Sequence, residues 1–598
     1  VGVALPVLAH YRIPNVRLTS FHAPNGTTTT GQYPGLDRYG RIARQMWVDG
    51  SFAAHGSLST VPNKPPIVET AYLYDNASSR TGAFDARPGS AQPLSQSYSY
   101  DGLHRLTEAI RGAWNGSLTT PSVTQLKNSQ EWSLDPLGNW LELATDLDGA
   151  GGFDGDETET RDFRDPSLTL PTNRVNELFE RTLAVDAGGD ELALTYDFAG
   201  NILRQELTND GTDTTALRYT HDAWNRLVKV EFEDEEEDVH PRGEYEYNGL
   251  NWPTVARADS DTTNSTHALD ELRTMYYSAE WRLLETRVDA NYQSSPGVNR
   301  HVQHVWGERY IDDIVSTRHD PDPSAEDGYE TIQFHVTDAQ FSTVAMLSST
   351  AAVLERVTYS AYGVARHHWL GDADGDGDVD STDVGLVTGA IGQSIGDGGY
   401  RAEYDLNRDG SVTLADRGLM SLASALPEGA LSSAAVGNRI GYCGYVFAPE
   451  TRTYLVRHRW YLPPLGRWGQ RDPVGYIDGM SLYLYGFAAP ADYSDAFGLA
   501  SACPPCLSIC CTPNADPPVW TPPPGKRGPI FQECQELYTG ARQKCLKYAI
   551  GSPEMANCYR QAEIVLRNCN IRLIGQGAVP VGGFGTIASG FGQGLCDG

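Results

Sequence analysis

YSYDGLHRL, residues 98–106, decides the fold. Two aromatic rings spaced two residues apart share one face of a strand, because strand side chains alternate with a period of two. The Asp that follows accepts from backbone amides two residues on. The third residue after it takes the left-handed turn conformation, and the next begins a return strand. The same pattern recurs in WSLDPLGNW (132–140), LTYDFAGNI (194–202), YTHDAWNRL (219–227), YEYNGLNWP (245–253) and YYSAEWRLL (276–284). LDRYGRI (36–42) is a further copy, and AYLYDNASSR (71–80) is a degenerate one. Hairpins of this kind stack laterally with their rings layered. The expected fold is mainly β, a solenoid or shell of stacked hairpins, with helical periodicity almost absent before residue 370.

With 598 residues, several domains or one large repeat architecture are expected. A net charge of −31 argues against nucleic acid, whose phosphates would be repelled. The acidic run EFEDEEEDVH (231–240) reads as a solvated loop. No stretch reaches the roughly twenty apolar residues of a membrane helix. The chain starts at Val1 without Met or a recognisable signal peptide, and a processed or trimmed product is expected.

A different chemistry interrupts the β pattern at GDADGDGDVDSTD (371–383), where six of thirteen residues are Asp. Such repulsion is tolerable around a cation. Asp372, Asp374 and Asp376 stand at positions 1, 3 and 5 of a twelve-residue calcium loop, with Gly377 at 6, Asp378 at 7, Asp380 at 9 and Asp383 at 12. A second copy 33 residues on, DLNRDGSVTLAD, supplies Asp405, Asn407, Asp409, Gly410, Ser411, Thr413 and Asp416. Position 12 is Asp in both, shorter than the usual bidentate Glu. Val384, Leu386, Val387 and Ile391 predict a helix after the first loop; Leu419, Met420, Leu422 and Leu426 predict one after the second. Neither loop has a helix pattern before it.

Loop plus exiting helix, given twice, resembles a dockerin, the calcium-dependent module that binds cohesin domains. The resemblance implies Ca2+ as ligand and a cohesin-like partner, recognised through Ser381 and Thr382. The second copy carries Leu414 and Ala415 at that place, which breaks the usual two-fold equivalence. A calcium-clamped insertion without a partner is the alternative.

Nine of the ten cysteines follow residue 500; the other is Cys443. Cys534 and Cys545 are eleven apart, as are Cys558 and Cys569, so each pair lies on one helix face. Two such helices would form a hairpin stapled by Cys534–Cys569 and Cys545–Cys558, with Cys443 available to tether the tail. Zinc binding is the alternative, although the tail has no His. Disulfides imply an oxidising, extracellular or cell-surface setting.

The aromatic–Asp hairpins resemble the YD repeats of the RHS and teneurin families. WGERYIDDIVSTR (306–318), FHVTDAQFSTVAML (334–347) and LERVTYSAYG (354–363) resemble the approach to the RHS-associated core. The core resembles ETRTYLVRHRWYLPPLGRWGQRDPVGYIDGMSLYLYGFAAPADYSDAFGL (450–499). The resemblance implies a hollow β-shell plugged at one end by the core. The organisation expected is an N-terminal strand segment (1–32), YD repeats (33–300), the approach (301–370), the dockerin-like insertion (371–427), the core (428–499) and a Cys-rich domain (500–598). An insertion between AYGVAR and NRIGYCGY should have neighbouring ends and project from the shell.

Some members of that family cleave themselves after the last Leu of a DPxGL element. By resemblance the scissile bond is Leu499–Ala500, Arg471 and Asp472 match the catalytic Arg-Asp, and Asp478 is a candidate second carboxylate. Asp495-Ala496 stands where Asp-Pro is usual. HVQH (301–304) and His367-His368 lack a third metal ligand of suitable spacing. A turnover enzyme is not expected. The function expected is a secreted or surface structural shell with calcium-dependent attachment or assembly. The alternatives are a toxin whose shell encloses a C-terminal effector, and a self-associating filament subunit in which VGVALPVLAHYRI donates a strand.

Overall fold

The computed structural model describes residues 12–13, 16–19, 37, 41–49, 65–90, 94–117, 121–125, 128–146, 149, 151–153, 157–163, 176–183, 190–209, 214–260, 268–323, 329–476, 479–499 and 501. The tail cysteines, the expected disulfides and Asp478 lie outside the described residues. All that is described belongs to the compact unit that ends at Leu507.

Among the described residues, twenty-six strands, from Arg12–Ile13 to Ala365–Trp369, make one sheet. Successive strands pair antiparallel, so the sheet is a meander. There is one departure. Leu106–Trp114 pairs Val123–Gln125 through Gly112 to Trp114, and Gln130–Leu134 through Glu108 and Ala109. Two consecutive strands thus lie end to end on one neighbour and run the same way. Alternation of direction then brings every aromatic–Asp turn to the same rim, and the acidic turn at Asp234 to the other.

The turn chemistry matches the expectation. Asp101 Oδ1 accepts from Leu103 N at 2.8 Å and Arg105 N at 3.0 Å. The third residue after the acid, or after Asn248 and Ser278 in its place, is left-handed whether or not it is Gly: His104, Gly138, Gly200, Asn225, Asn251, Trp281. Two further contacts explain why the repeat carries its other residues. The aromatic group that ends the strand before a turn reaches back to the carbonyl that opens the previous return strand: Tyr100 to Arg80 at 2.7 Å, Tyr247 to Leu227 at 2.7 Å, Trp306 to Leu283 at 2.6 Å and Tyr359 to Thr343 at 2.7 Å. The Arg or Asn after the turn reaches forward: Arg105 donates to Asp135 O at 2.6 Å, and Asn201 to Asn225 Oδ1 at 3.0 Å. Several hairpins are therefore tied to a neighbour by side chains as well as by the ladder.

The sheet curls onto itself. Gln45 and Trp47 both donate to Thr337 O, at 3.0 and 2.9 Å, and Arg356 donates to Ile67 O at 2.9 Å. Trp47, Ile67, Phe334 and Val336 share one core. Inside the curl sits a plug built on a small four-stranded sheet: Val446–Ala448, Thr453–Val456, Arg459–Leu462 and Arg467–Trp468. Its rings pack directly on the shell. Tyr245 packs at a tilt on Trp460 with centroids 4.8 Å apart, and Tyr196 meets Tyr483 edge-on at 5.9 Å. Cys443 is a free thiol closed in by the plug, with Tyr485 OH 3.8 Å from its sulfur. Burial pushes its pKa up, and its enclosure does not suit the tether expected of it.

The insertion has its own core of Ala373, Val387, Ala390, Tyr400 and Val412. Its ends are adjacent as expected, joined by Trp369 Nε1 donating to Ser424 O at 3.0 Å. It does not project freely: Arg408 of the second loop donates to Ala351 O of the shell at 2.7 Å, both residues being buried.

Candidate functional site

The two acidic loops are built alike. Asp372 Oδ2 accepts from Gly377 N at 3.1 Å, and Asp405 Oδ2 from Gly410 N at 2.8 Å. Both glycines have positive φ, +106° and +95°, the sharp turn at position 6. At position 12, Asp383 Oδ2 accepts from Asp380 N at 2.7 Å and Asp416 Oδ2 from Thr413 N at 2.8 Å. Asp380 and Thr413 are also helix N-caps closing a capping box with those acids. Position 8 of each loop pairs with the segment after the other loop's helix. Val379 N donates to Ala423 O and Val412 N to Gln393 O, both at 2.8 Å.

Carboxylates of Asp372, Asp374 and Asp376 converge within 4.8 Å of one another, as do those of Asp378, Asp380 and Asp383. Asp378 Oδ1 is buried without a hydrogen-bond partner. Burial, then Asp376 and Asp383, push Asp374 up to about 6; burial and the neighbouring acids raise Asp378 as well. An all-oxygen set with like charges forced together and an orphaned acceptor fits a hard cation such as Ca2+. In the second loop Asn407 Oδ1 and Asp409 are hydrogen-bonded to each other's groups, with Asp409 N 2.9 Å from the amide oxygen.

Helix α1, Ser381–Gly389, forms where expected. The second helix, α2, is only Leu414–Arg417 and stops at Gly418, so the expected continuation through Leu422 and Leu426 is irregular. Glycine's conformational entropy disfavours extending the helix there. Leu414, Leu419 and Leu422 are exposed, at 69%, 47% and 77%. Ser381 and Thr382 are exposed on the first turn of α1, and Thr382 edges a groove with Leu386, Gln393 and Tyr404.

Sequence pattern did not reveal what holds the position-1 acids. His368 Nδ1 lies 2.8 Å from Asp372 Oδ2, and Tyr400 OH donates to Asp405 Oδ2 at 2.8 Å. The His367-His368 pair is thus divided, His367 Nε2 lying 3.0 Å from Glu355. His304 is buried in the shell wall, its pKa pushed down to about 3 by that burial.

A second arrangement stands at the end of the plug. Arg459, 2% exposed, places Nη2 2.9 Å from Asp472 and 3.1 Å from Asp495. Its Nε donates to Gly498 O at 2.6 Å. Asp495 Oδ1 accepts from Leu499 N at 3.1 Å and Phe497 N at 3.2 Å. One guanidinium group therefore joins two carboxylates to the backbone beside Leu499. Arg471 is elsewhere: it pairs with Glu177 at 2.6 Å and donates to Tyr483 OH at 3.2 Å. Successive extended residues point to opposite sides, so Arg471 faces the shell while Asp472 faces the plug.

A dockerin type I domain model matches residues 370–421. No curated protein matches the chain. Among solved structures, the chain is similar to the crystal structure of TcdB2-TccC3, at 13% identity over 76% of this chain and 21% of that one, with a TM-score of 0.31. The form without its hypervariable C-terminal region gives 12% identity over 81% and 23%, with a TM-score of 0.27. A Photorhabdus luminescens Tc holotoxin pore gives 13% identity over 77% and 23%, with a TM-score of 0.23. The chain spans less than a quarter of the length of each of these three. No described helix is long and apolar enough to cross a membrane.

Proposed function

We propose that the chain is an extracellular YD-repeat shell that is attached through a calcium-loaded dockerin module to a cohesin-like partner. The carrying observation is the paired loop geometry, in which both loops repeat the position 6 turn and the position 12 closure inside the matched dockerin region. Calcium held by Asp372, Asp374, Asp376, Asp378 and Asp383, and by Asp405, Asn407, Asp409, Ser411 and Asp416, would neutralise the loops and fix α1. The surface offered to the partner is Ser381, Thr382 and the exposed Leu414, Leu419 and Leu422. Asymmetry between Ser381-Thr382 and Leu414-Ala415 favours a single orientation of the partner. Capture of a recombinant cohesin domain on immobilised full chain, with calcium and with EGTA, tests this. Calcium-dependent capture lost in Thr382→Arg supports it; no capture in calcium by a chain that binds calcium overturns attachment by this route.

A second reading is favoured by Arg459 and its two carboxylates: a single self-cleavage at Leu499–Ala500, carried by Asp472 and Asp495, which would release the tail as cargo. Asp495 is the better second carboxylate than the one expected at 478, since it already holds Leu499 N. Mass of the denatured, reduced chain decides it. A fragment beginning at Ala500, absent in Asp472→Asn, supports cleavage. A single species of 65.3 kDa sinks it.

A further inference from the structure

The insertion and the shell meet through residues that no calcium-loop pattern requires. Arg408 occupies position 4 of the second loop, between Asn407 and Asp409, and is left-handed with φ +55°. That conformation is set by the loop, and it aims the guanidinium out of the module to the carbonyl of Ala351. Ala351 ends the shell turn Ser348–Ala351, in which Ala351 N donates to Ser348 O and Ser348 N to Ala352 O, both at 2.9 Å. The equivalent position of the first loop is Gly375, which has no side chain to offer. The first loop is joined differently, by His368 of the shell strand Ala365–Trp369 on Asp372. Gly89 of the shell closes the contact from a third side: with φ +67°, a Cβ there would lie 2.3 Å from Tyr400 O, and Tyr400 in turn holds Asp405.

Both position-1 acids are thus wired to groups on or against the shell, and the second loop grips a shell turn besides. We propose that the calcium loops form a latch between module and shell, so that filling the second loop orders the turn Ser348–Ala351 and filling the first orders the strand Ala365–Trp369. Without a cation, repulsion among the loop acids loosens the backbone that aims Arg408, and the shell loses the donor to Ala351 O. The module is then part of the shell wall in calcium and a tethered appendage without it. This rests on the reading of the loops as calcium sites.

Hydrogen exchange of the full chain in calcium and in EGTA tests the latch, with calcium binding followed by calorimetry on the same samples. Chelation is expected to raise exchange about tenfold at residues 348–352 and 365–369, the size of one charged hydrogen bond, as well as within 371–427. Arg408→Ala, which removes no calcium ligand, is expected to bind calcium and yet show the chelated exchange rate at 348–352 throughout. Arg408→Lys restores part of the protection. Calcium binding with unchanged exchange in the shell overturns the latch, as does calcium-dependent protection of 348–352 that survives Arg408→Ala. No calcium binding by the wild-type chain overturns the underlying reading, and calorimetry separates that failure from the other two.

Discussion

Arg471 and Glu177 form a 2.6 Å ion pair across 294 residues of sequence, tying the plug to the shell wall. Glu177 is fully buried, whereas the Arg471 side chain is 28% exposed. Truncating the arginine would therefore leave a carboxylate inside the protein without its cation. Arg471→Ala is expected to destabilise by about 3 kcal/mol, the range for breaking a buried pair from one side. Arg471→Lys should recover part of this, since it keeps the charge and loses the fork that also reaches Tyr483. Urea unfolding of the full chain measures both.

Tyr100→Phe tests the reach between neighbouring hairpins. It removes the 2.7 Å bond to Arg80 O and leaves the ring in place. The expected loss is about 1 kcal/mol. It should appear as a lower urea midpoint with unchanged slope. A neutral result would reduce the aromatic residue to a packing group.

Gly200 serves two demands at once. Its φ is +87°, and a Cβ would stand 2.1 Å from Arg471 Nε and 2.5 Å from Tyr483 OH. Gly200→Ala is expected to displace Arg471 and destabilise more than Gly116→Ala, where φ is +77° but a Cβ would meet nothing within 4 Å. The comparison of the two midpoints isolates the close approach from the loss of a glycine.

Asp492 supplies a pH signature. Burial, opposed by Arg80, pushes it up to about 6, while it accepts from Arg80 N at 2.7 Å. The unfolded chain releases that proton in the ordinary carboxylate range. Between the two values the folded state holds more protons, so stability falls as pH rises, and the loss is complete above about 6. Asp492→Asn should flatten the stability profile across that window. Urea midpoints at several pH values check the sign.

Calcium should stabilise the full chain relative to EGTA by about 2.7 kcal/mol for each loop filled at a hundredfold excess over its dissociation constant, and raise the unfolding midpoint accordingly. Asp383→Ala removes a position 12 oxygen and the acceptor for Asp380 N and Ala373 N, so it should abolish most of the first loop's share. Differential scanning calorimetry reads both.

The hairpins were legible because each turn advertises itself within nine residues, through an acid, a left-handed position and an aromatic pair. The calcium loops were legible for the same reason of local spacing. What escaped was long-range. Nothing near Asp472 announces that its guanidinium comes from Arg459 rather than Arg471, nor that Asp495 would complete the cluster. His368, Tyr400 and Arg408 carry no pattern, since each is defined by a partner across the module boundary or beyond its own loop. The second helix falls short of the spacing of Leu419, Met420, Leu422 and Leu426 because Gly418 ends it before that apolar run begins.

The pair of strands lying end to end on Leu106–Trp114 bears on how such a wall grows. A meander that gained or lost one strand would swing every later turn to the opposite rim. Length in this architecture is thus quantised in hairpins. At Val123–Gln125 the extra strand lies end to end with the next one on a single neighbour, so the alternation of rims is kept.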